Sequence, residues 1–263
     1  MPHLAHIWIY PIKSLDGVER SQVSLLPGGA LAGDREFALF DAAGRVVNAK
    51  RTEAVHHIRA QFDLPNRVVT LSTKTLTPQS FHLDGDRPAL EHWLSSYFGE
   101  SITLQQNTHM GFPDDTHASG PTVVSTATLE TVASWFPGMT VDEARQRFRT
   151  NLEIGNVPAF WEDEQFTPTG APIALQVGSA MLMSCNPCQR CIVPTRHPQT
   201  GDRIPQFQAL FAAQRQATLP TQAPTSRFNH FYKLTLNTQV AATEAGKILA
   251  IGDNVQSMPG HSY

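Results

Sequence analysis

The sequence predicts a mainly β protein with some α, in which short strands build barrels or sandwiches and a few helices pack on them. Three observations support this class. Brief apolar or alternating runs are repeatedly interrupted by Pro, Gly and Asp. Only a few segments carry helical periodicity with start and stop signals. One polar stretch rich in turn-formers, Gln105 to Pro121, divides the chain, so residues 1–110 and 111–263 are read as two domains.

In chain order, Leu4 to Tyr10 is an apolar, aromatic run ended by Pro11, and Ser21 to Leu26 alternates before Pro27-Gly28-Gly29. Phe37 to Phe40 and Arg45 to Val47 flank Asp41-Ala-Ala-Gly44, a hairpin turn. Val68 to Leu71 and Ser80 to Leu83 form another pair. Asp86 is a candidate cap for a helix with Pro88 in its first turn, an apolar stripe of Leu90, Trp93, Leu94 and Phe98, and a stop at Gly99. A second helix starts near Ser125-Thr126, carries Leu129, Val132, Ala133 and Phe136, and stops at Pro137-Gly138. Arg147, Phe148 and Arg149 read as strand, with both guanidiniums on one face and the ring in the core. Leu175 to Met183 reads as a strand pair around Gly178-Ser179, Gln206 to Gln214 as a helix, and Pro220 to Ser226 as a mobile loop. Phe231 to Leu236 and Lys247 to Val255 are closing strands.

A hydrophobic fraction of 41% with 16% charged residues is ordinary for a soluble globular protein. The net charge of −3 argues against a non-specific nucleic-acid binder. Fifteen of the twenty cations are Arg, and every cation between Lys74 and Lys233 is Arg. The planar fork of Arg suits phosphate and carboxylate, so this bias fits an anionic small-molecule ligand as well as it fits genomic base composition. No apolar run reaches the eighteen or so residues of a membrane span, and no signal peptide is evident. The expected location is the cytoplasm.

All three cysteines lie in Ser184-Cys-Asn-Pro-Cys-Gln-Arg-Cys191, with spacing C-x2-C-x2-C. Clustered thiols in a chain without export signals point to metal, cofactor or redox chemistry rather than a disulfide framework. An iron–sulfur cluster usually needs a fourth thiolate, which the chain lacks. A structural zinc would need His197 as fourth ligand. One special thiolate, activated by the neighbouring Arg190, could bind a soft metal or act as a nucleophile. The thiols could also be inert and buried.

Cys-Gln-Arg-Cys191 continues into Ile-Val-Pro-Thr-Arg-His-Pro-Gln-Thr-Gly201. This segment resembles the C-x-R-C…D-P-x-T-G segment of MOSC-domain proteins. Tyr10-Pro-Ile-Lys-Ser14 and Gly33-Asp-Arg35 resemble motifs of the N-terminal β-barrel domain associated with them. Arg147-Phe-Arg-Thr-Asn151 resembles R-F-R-P-N, Trp161-Glu-Asp163 the acidic pair after it, and Ile251-Gly-Asp-Asn-Val255 the closing G-D-x-V strand. Six motifs in register cover nearly the whole chain. The departures are His197 for the usual aspartate, Thr150 for proline, and Asn229 where glycine is common; they bear on the outer shell and substrate preference.

The resemblance implies an N-terminal β-barrel domain followed by a MOSC β-barrel domain, and a molybdenum cofactor (Mo-molybdopterin) with Cys191 as the catalytic metal ligand. Cys188 matches a second cysteine of the motif that is not expected to ligate. Lys13, Ser14, Arg35, Arg149 and Asn151 are carried over as cofactor-binding residues, with Arg190 beside the ligand and Ser125 as a further candidate. Each also has a structural reading: Asp34 and Arg35 as a surface ion pair, Asn151 as a turn cap, Ser125 as a helix start. Glu162 and Asp163 are expected to brace the fold.

The activity implied is that of the mitochondrial amidoxime reducing component and its bacterial relatives. These reduce N-hydroxylated compounds, such as hydroxylamines, amidoximes and N-hydroxylated bases, to the amine by oxygen-atom transfer. The sequence stops after the closing strand without further cysteines, so a separate electron-donor protein, a ferredoxin or flavodoxin-type reductase, is expected. No nucleic-acid or membrane partner is expected. The alternative is a molybdenum-cofactor or persulfide sulfur carrier without such turnover. Pyridoxal phosphate is discounted, because no lysine between Lys74 and Lys233 can form a Schiff base.

Overall fold

The computed structural model describes residues 1–258. The N-terminal part contains β1 (His3–Ile9), β2 (Val18–Glu19), β3 (Gln22–Ser24), β4 (Phe37–Asp41), β5 (Val46–Val47), β6 (Arg59–Asp63), β7 (Val68–Ser72), β8 (Gln79–His82), helix α1 (Arg87–Phe98) and β9 (Ile102–Gln106). The C-terminal part contains β10 (Val123–Ser125), α2 (Thr126–Ser134), α3 (Val141–Phe148), β11 (Leu152–Gly155), β12 (Ala174–Val177), β13 (Ala180–Gln189), α4 (Phe207–Ala217), β14 (Lys233–Gln239), β15 (Ile248–Ala250) and β16 (Val255–Met258). The mainly β class with some α is what the sequence predicts. Among the described strands no sheet closes into a barrel.

The largest sheet has eight strands in the order β16-β12-β13-β14-β10-β11-β1-β2. Its pairings are antiparallel except β10 with β11. A boundary near residue 110 divides the sequence but not this sheet. β1 pairs with β11, Leu4 opposite Ile154 and Ile7 opposite Leu152, while β3 pairs with β15. One apolar core therefore mixes Leu4, Ile7 and Leu31 with Leu152, Leu182 and Leu236. A second core lies under β4, β7, β9 and α1, and an aromatic third gathers Phe136, Phe148, Phe160, Phe207 and Phe211 beneath α2–α4. Each fully buried ring contributes on the order of 1.5–3 kcal/mol.

Local chemistry explains the elements. Asp41 turns the β4–β5 hairpin by accepting from the Ala43 and Arg45 amides at 3.0 and 2.9 Å. α1 ends at Gly99 in the left-handed region, but its expected cap differs. Asp86 makes no cap bond, and its carboxylate accepts from the His82 amide at 2.9 Å instead. Ser125 caps α2 by accepting from Thr128 N at 3.0 Å. Strand β6, which joins the 68–83 pair as a third strand, was not anticipated.

The strand expected through Arg147–Arg149 is instead the end of helix α3. Thr140 accepts from the Glu143 amide, and Asp142 and Glu143 occupy the first turn, a start signal legible as Thr-x-x-Glu. Phe148 still enters the core. The two guanidiniums do not share a face. Arg147 is buried against Glu143 and donates to the Pro194 carbonyl, whereas Arg149 terminates the helix at φ 50°.

The acidic pair braces the C-terminal part. Asp163 accepts from the fully buried Arg215 at 2.6 Å, and Glu162 Oε2 accepts from Ser125 N and Thr128 Oγ1 at 3.2 and 3.1 Å. Burial, and then the Asp163 charge, pushes the Glu162 carboxyl upward. Its unpartnered Oε1 suits a protonated acid. A carboxyl raised in the folded state stabilises below its unfolded pKa, and that contribution is lost as pH rises through the folded value. Glu162→Gln, which keeps the acceptor and removes the titration, is therefore expected to flatten the loss of stability between about pH 5 and pH 8 in denaturant melts. An unchanged slope in the variant would disprove the assignment.

Candidate functional site

A cleft of about 1120 Å³ lies between the start of the chain, the C-terminus of α3 and the cysteine segment. Ten of the twenty Lys and Arg line it against six of the twenty-three carboxylates, so a chain of net charge −3 concentrates positive potential there. Lys13, Ser14, Arg35, Arg149, Asn151, Arg190, Cys188 and Cys191 all line it. Ser125 does not. It is fully buried, donates to the Pro158 carbonyl and caps α2, so the structure leaves this candidate outside the cleft.

The first wall follows β1. The Asp34 carboxylate accepts from the Tyr10 amide at 2.8 Å, Arg35 N donates to the Tyr10 carbonyl at 2.8 Å, and the Asp34 and Arg35 side chains pair. Ser14 and Arg35 have φ of 73° and 49°, left-handed conformations in which non-glycine residues are strained. Gly111 packs on this turn so closely that a Cβ would lie 2.5 Å from the Asp34 carbonyl. The adjacent loop brings Asp114 to Lys13 at 2.6 Å and to Lys50 at 3.0 Å. Burial lowers the Lys13 pKa, with Asp114 opposing. Burial would raise Asp114, but Lys13 and Lys50 outweigh it and hold the carboxyl below the usual range.

Tyr10 lies between two cations, with the Arg149 guanidinium 3.9 Å and that of Arg35 5.5 Å from its ring centre. Burial pushes its hydroxyl up to about 12 against both positive charges, so it remains a neutral phenol. Among the described residues Arg149 forms no ion pair with a carboxylate, burial lowers its pKa, and its Nη2 is buried without a hydrogen bond. Asn151 is placed at the cleft but braces it. Its Oδ1 accepts from Thr122 N and Oγ1 at 3.2 Å each, and its Nδ2 donates to the Trp8 carbonyl at 3.0 Å.

The opposite wall is the cysteine segment at the end of β13. Two irregularities in its pairing with β14 shape it. Cys185 is the extra residue between Ser184 and Asn186, and Thr235 bulges opposite Cys188 at φ 76°, with Oγ1 buried and unpartnered. Cys185 does not line the cleft, and burial raises its thiol to about 11. Arg190 was expected to act on Cys191, but its Nη1 donates to Cys188 Sγ at 3.2 Å and its Nη2 to the Phe148 carbonyl at 2.6 Å. Its Nε is buried and free. Cys191 is held through its backbone, whose carbonyl accepts from Tyr232 Oη at 3.1 Å. Among the described residues no three His, Cys, Asp or Glu side chains gather as a metal-ligand cluster. The arrangement is two thiols, Cys188 and Cys191, on one wall of a cationic cleft.

Tyr10, Asp114, His56, Arg59 and Arg196 also line the cleft and were not singled out from the sequence. Tyr10 and Arg196 sit inside the motifs, which was a usable signal. His56 and Asp114 lie in segments without one. Among the described residues no helix is long and apolar enough to cross a membrane.

The cap role of Ser125 is directly testable. Ser125→Ala should lower stability by about 1 kcal/mol or somewhat more, read as a lower midpoint in denaturant melts. An unchanged midpoint would contradict the cap role.

Residues 1–101 match the MOSC N-terminal beta barrel domain. The chain is also 25% identical over 237 residues to the molybdenum cofactor sulfurase of Drosophila mojavensis, an alignment covering 78% of this chain and 29% of that protein. The chain thus spans less than a third of the length of that curated relative. The matched N-terminal domain and the weak similarity to the sulfurase support a MOSC-domain family protein.

Proposed function

We propose that the cleft binds the molybdenum cofactor with Cys191 as its protein ligand, and that the protein reduces N-hydroxylated compounds to amines. The observation that carries this reading is Arg149: a half-buried cation without a carboxylate partner among the described residues, its Nη2 buried and free, in the same cleft as the Cys191 thiol. A buried unpaired cation is costly unless an anion completes it. The donor set fits a phosphate-bearing pterin dithiolene. Arg149 and Arg35 offer forks for phosphate or pterin oxygens, Lys13 a point charge, Ser14 a hydroxyl, and Cys191 a soft ligand for the metal.

When bound, the group supplies the two-electron chemistry that removes oxygen from an N–O bond. This chain's residues do the rest. Tyr10, wedged between Arg149 and Arg35, keeps the two guanidiniums apart and oriented. Tyr232 fixes the backbone of Cys191, and Arg190 ties the cysteine strand to the end of α3. A separate electron-donor protein completes the proposal; turnover by the chain with NADH alone would contradict that part.

The similarity to a molybdenum cofactor sulfurase favours one second reading, a carrier in which Cys191 holds a persulfide. Cys188, held by Arg190 in the same cleft, would be its exchange partner. Such a protein would show persulfide mass on Cys191 and no turnover of hydroxylamines.

The deciding measurement is elemental analysis of protein from a cofactor-producing host. Near-stoichiometric molybdenum in the wild type, lost in Cys191→Ala without loss of folding, is expected, together with reduction of benzamidoxime by the wild type given an electron donor. Zinc or iron in place of molybdenum would refute the reading. Arg149→Gln is expected to retain the fold and lose most of the bound molybdenum; full retention would remove Arg149 from the anion site.

A further inference from the structure

The cleft continues past the residues that would hold the cofactor. There the 3-10 turn Glu53–His57 and the start of β6 meet the loop that follows Cys191. His56, Arg59 and Arg196 line this corner and are neighbours. Arg59 Nη2 donates to the His56 carbonyl at 2.6 Å and to the Pro198 carbonyl at 3.2 Å, and Arg196 Nη1 pairs with Glu53 at 2.6 Å. Each of the three carries a buried nitrogen without a partner: His56 Nε2, Arg59 Nε and Arg196 Nε. His56 is 7% and Arg196 6% exposed. Buried donors are nearly always satisfied in folded proteins, so three free ones in a single corner of a cleft indicate a ligand that completes them.

The donor set gives that ligand its chemistry. Asp16 pairs with Arg59 at 2.9 Å and Glu53 with Arg196, and the nitrogens left without a partner call for an acceptor. His56 adds a donor without adding charge. Burial first, then the Arg196, Arg149 and Arg59 guanidiniums, lowers the imidazole to about 4, and the Pro198 carbonyl opposes this. A planar carboxylate offers two oxygens with four acceptor positions, a match for three N–H donors.

We propose that His56, Arg59 and Arg196 form a subsite for a carboxylate on the substrate, so that the protein selects N-hydroxylated compounds bearing an anionic group. This rests on the reductase reading and adds the class of substrate to it.

The test is calorimetric binding of two probes, benzamidoxime and 4-carboxybenzamidoxime, to the cofactor-loaded protein and to Arg196→Gln and His56→Gln. Molybdenum content and Tm are measured on each. The wild type is expected to bind the carboxylated probe about tenfold tighter or more, and each variant to lose that preference while keeping its molybdenum. Equal affinity for the two probes in the wild type overturns the subsite, and this comparison does not depend on the variants folding. Loss of molybdenum from the folded variants also overturns it, since the donors would then hold the cofactor. Wild type without molybdenum or turnover sinks the reductase reading alone, because carboxylate preference is still read by calorimetry on that protein.

Discussion

Strand β1 pairs antiparallel with β11, and Asn151 locks the pair by donating to the Trp8 carbonyl while its Oδ1 holds Thr122 before β10. Three strands that are distant in sequence are joined by one buried amide. Because β1 is fixed there, the turn that follows it must leave the sheet beside the C-terminus of α3. That places Tyr10 against Arg149, and through Tyr10 the Asp34–Arg35 turn. The loop pinned by Gly111 then carries Asp114 to Lys13. The cationic character of the cleft follows from this geometry rather than from overall charge, which is slightly negative.

Part of the backbone strain lies at the same place. Ser14, Arg35 and Arg149 all have positive φ without being glycine, and all three line the cleft. Thr235, a β-branched residue at φ 76°, bulges opposite Cys188 and offsets the register of the strand that presents Cys191. Such conformations cost of order 1–3 kcal/mol each and persist only where the surroundings over-determine them. Here the surroundings are the eight-stranded sheet, the Asp34 bonds to the first turn and the aromatic core under α3. A rigid scaffold holds side chains in positions that a relaxed backbone would not offer, as cofactor sites require.

Much of the site was legible as residue types in ordered motifs. Lys13, Ser14, Arg35, Arg149, Asn151, Arg190 and Cys191 are brought to one cleft from four separate segments. Roles were less legible than positions. Ser125 and Asn151 were plausible ligands by motif, yet one caps a helix outside the cleft and the other chiefly ties strands together. Ser and Asn side chains suit capping and bracing as readily as binding, and sequence does not separate these uses. Arg190 was read against its neighbour Cys191 because adjacency is all a sequence shows; in the strand end its guanidinium reaches Cys188.

The sequence by itself determined the mainly β class, the β4–β5 hairpin, helices α1, α2 and α4, and the cysteine motif, because these rest on local periodicity, turn chemistry and spacing. It also contained the start signal of α3, a Thr-x-x-Glu box outweighed by the alternation of Arg147, Phe148 and Arg149. Only the tertiary structure decided that β1 belongs to the C-terminal sheet, that Arg149 keeps a buried Nη2 without a partner among the described residues, and that His56, Arg59 and Arg196 share a corner of the cleft. Pairing across about 150 residues, and the presence or absence of a partner for a buried charge, depend on which distant groups are brought together. Hydrogen bonding and desolvation act at ångström distances in space, and no local pattern along the chain encodes those distances.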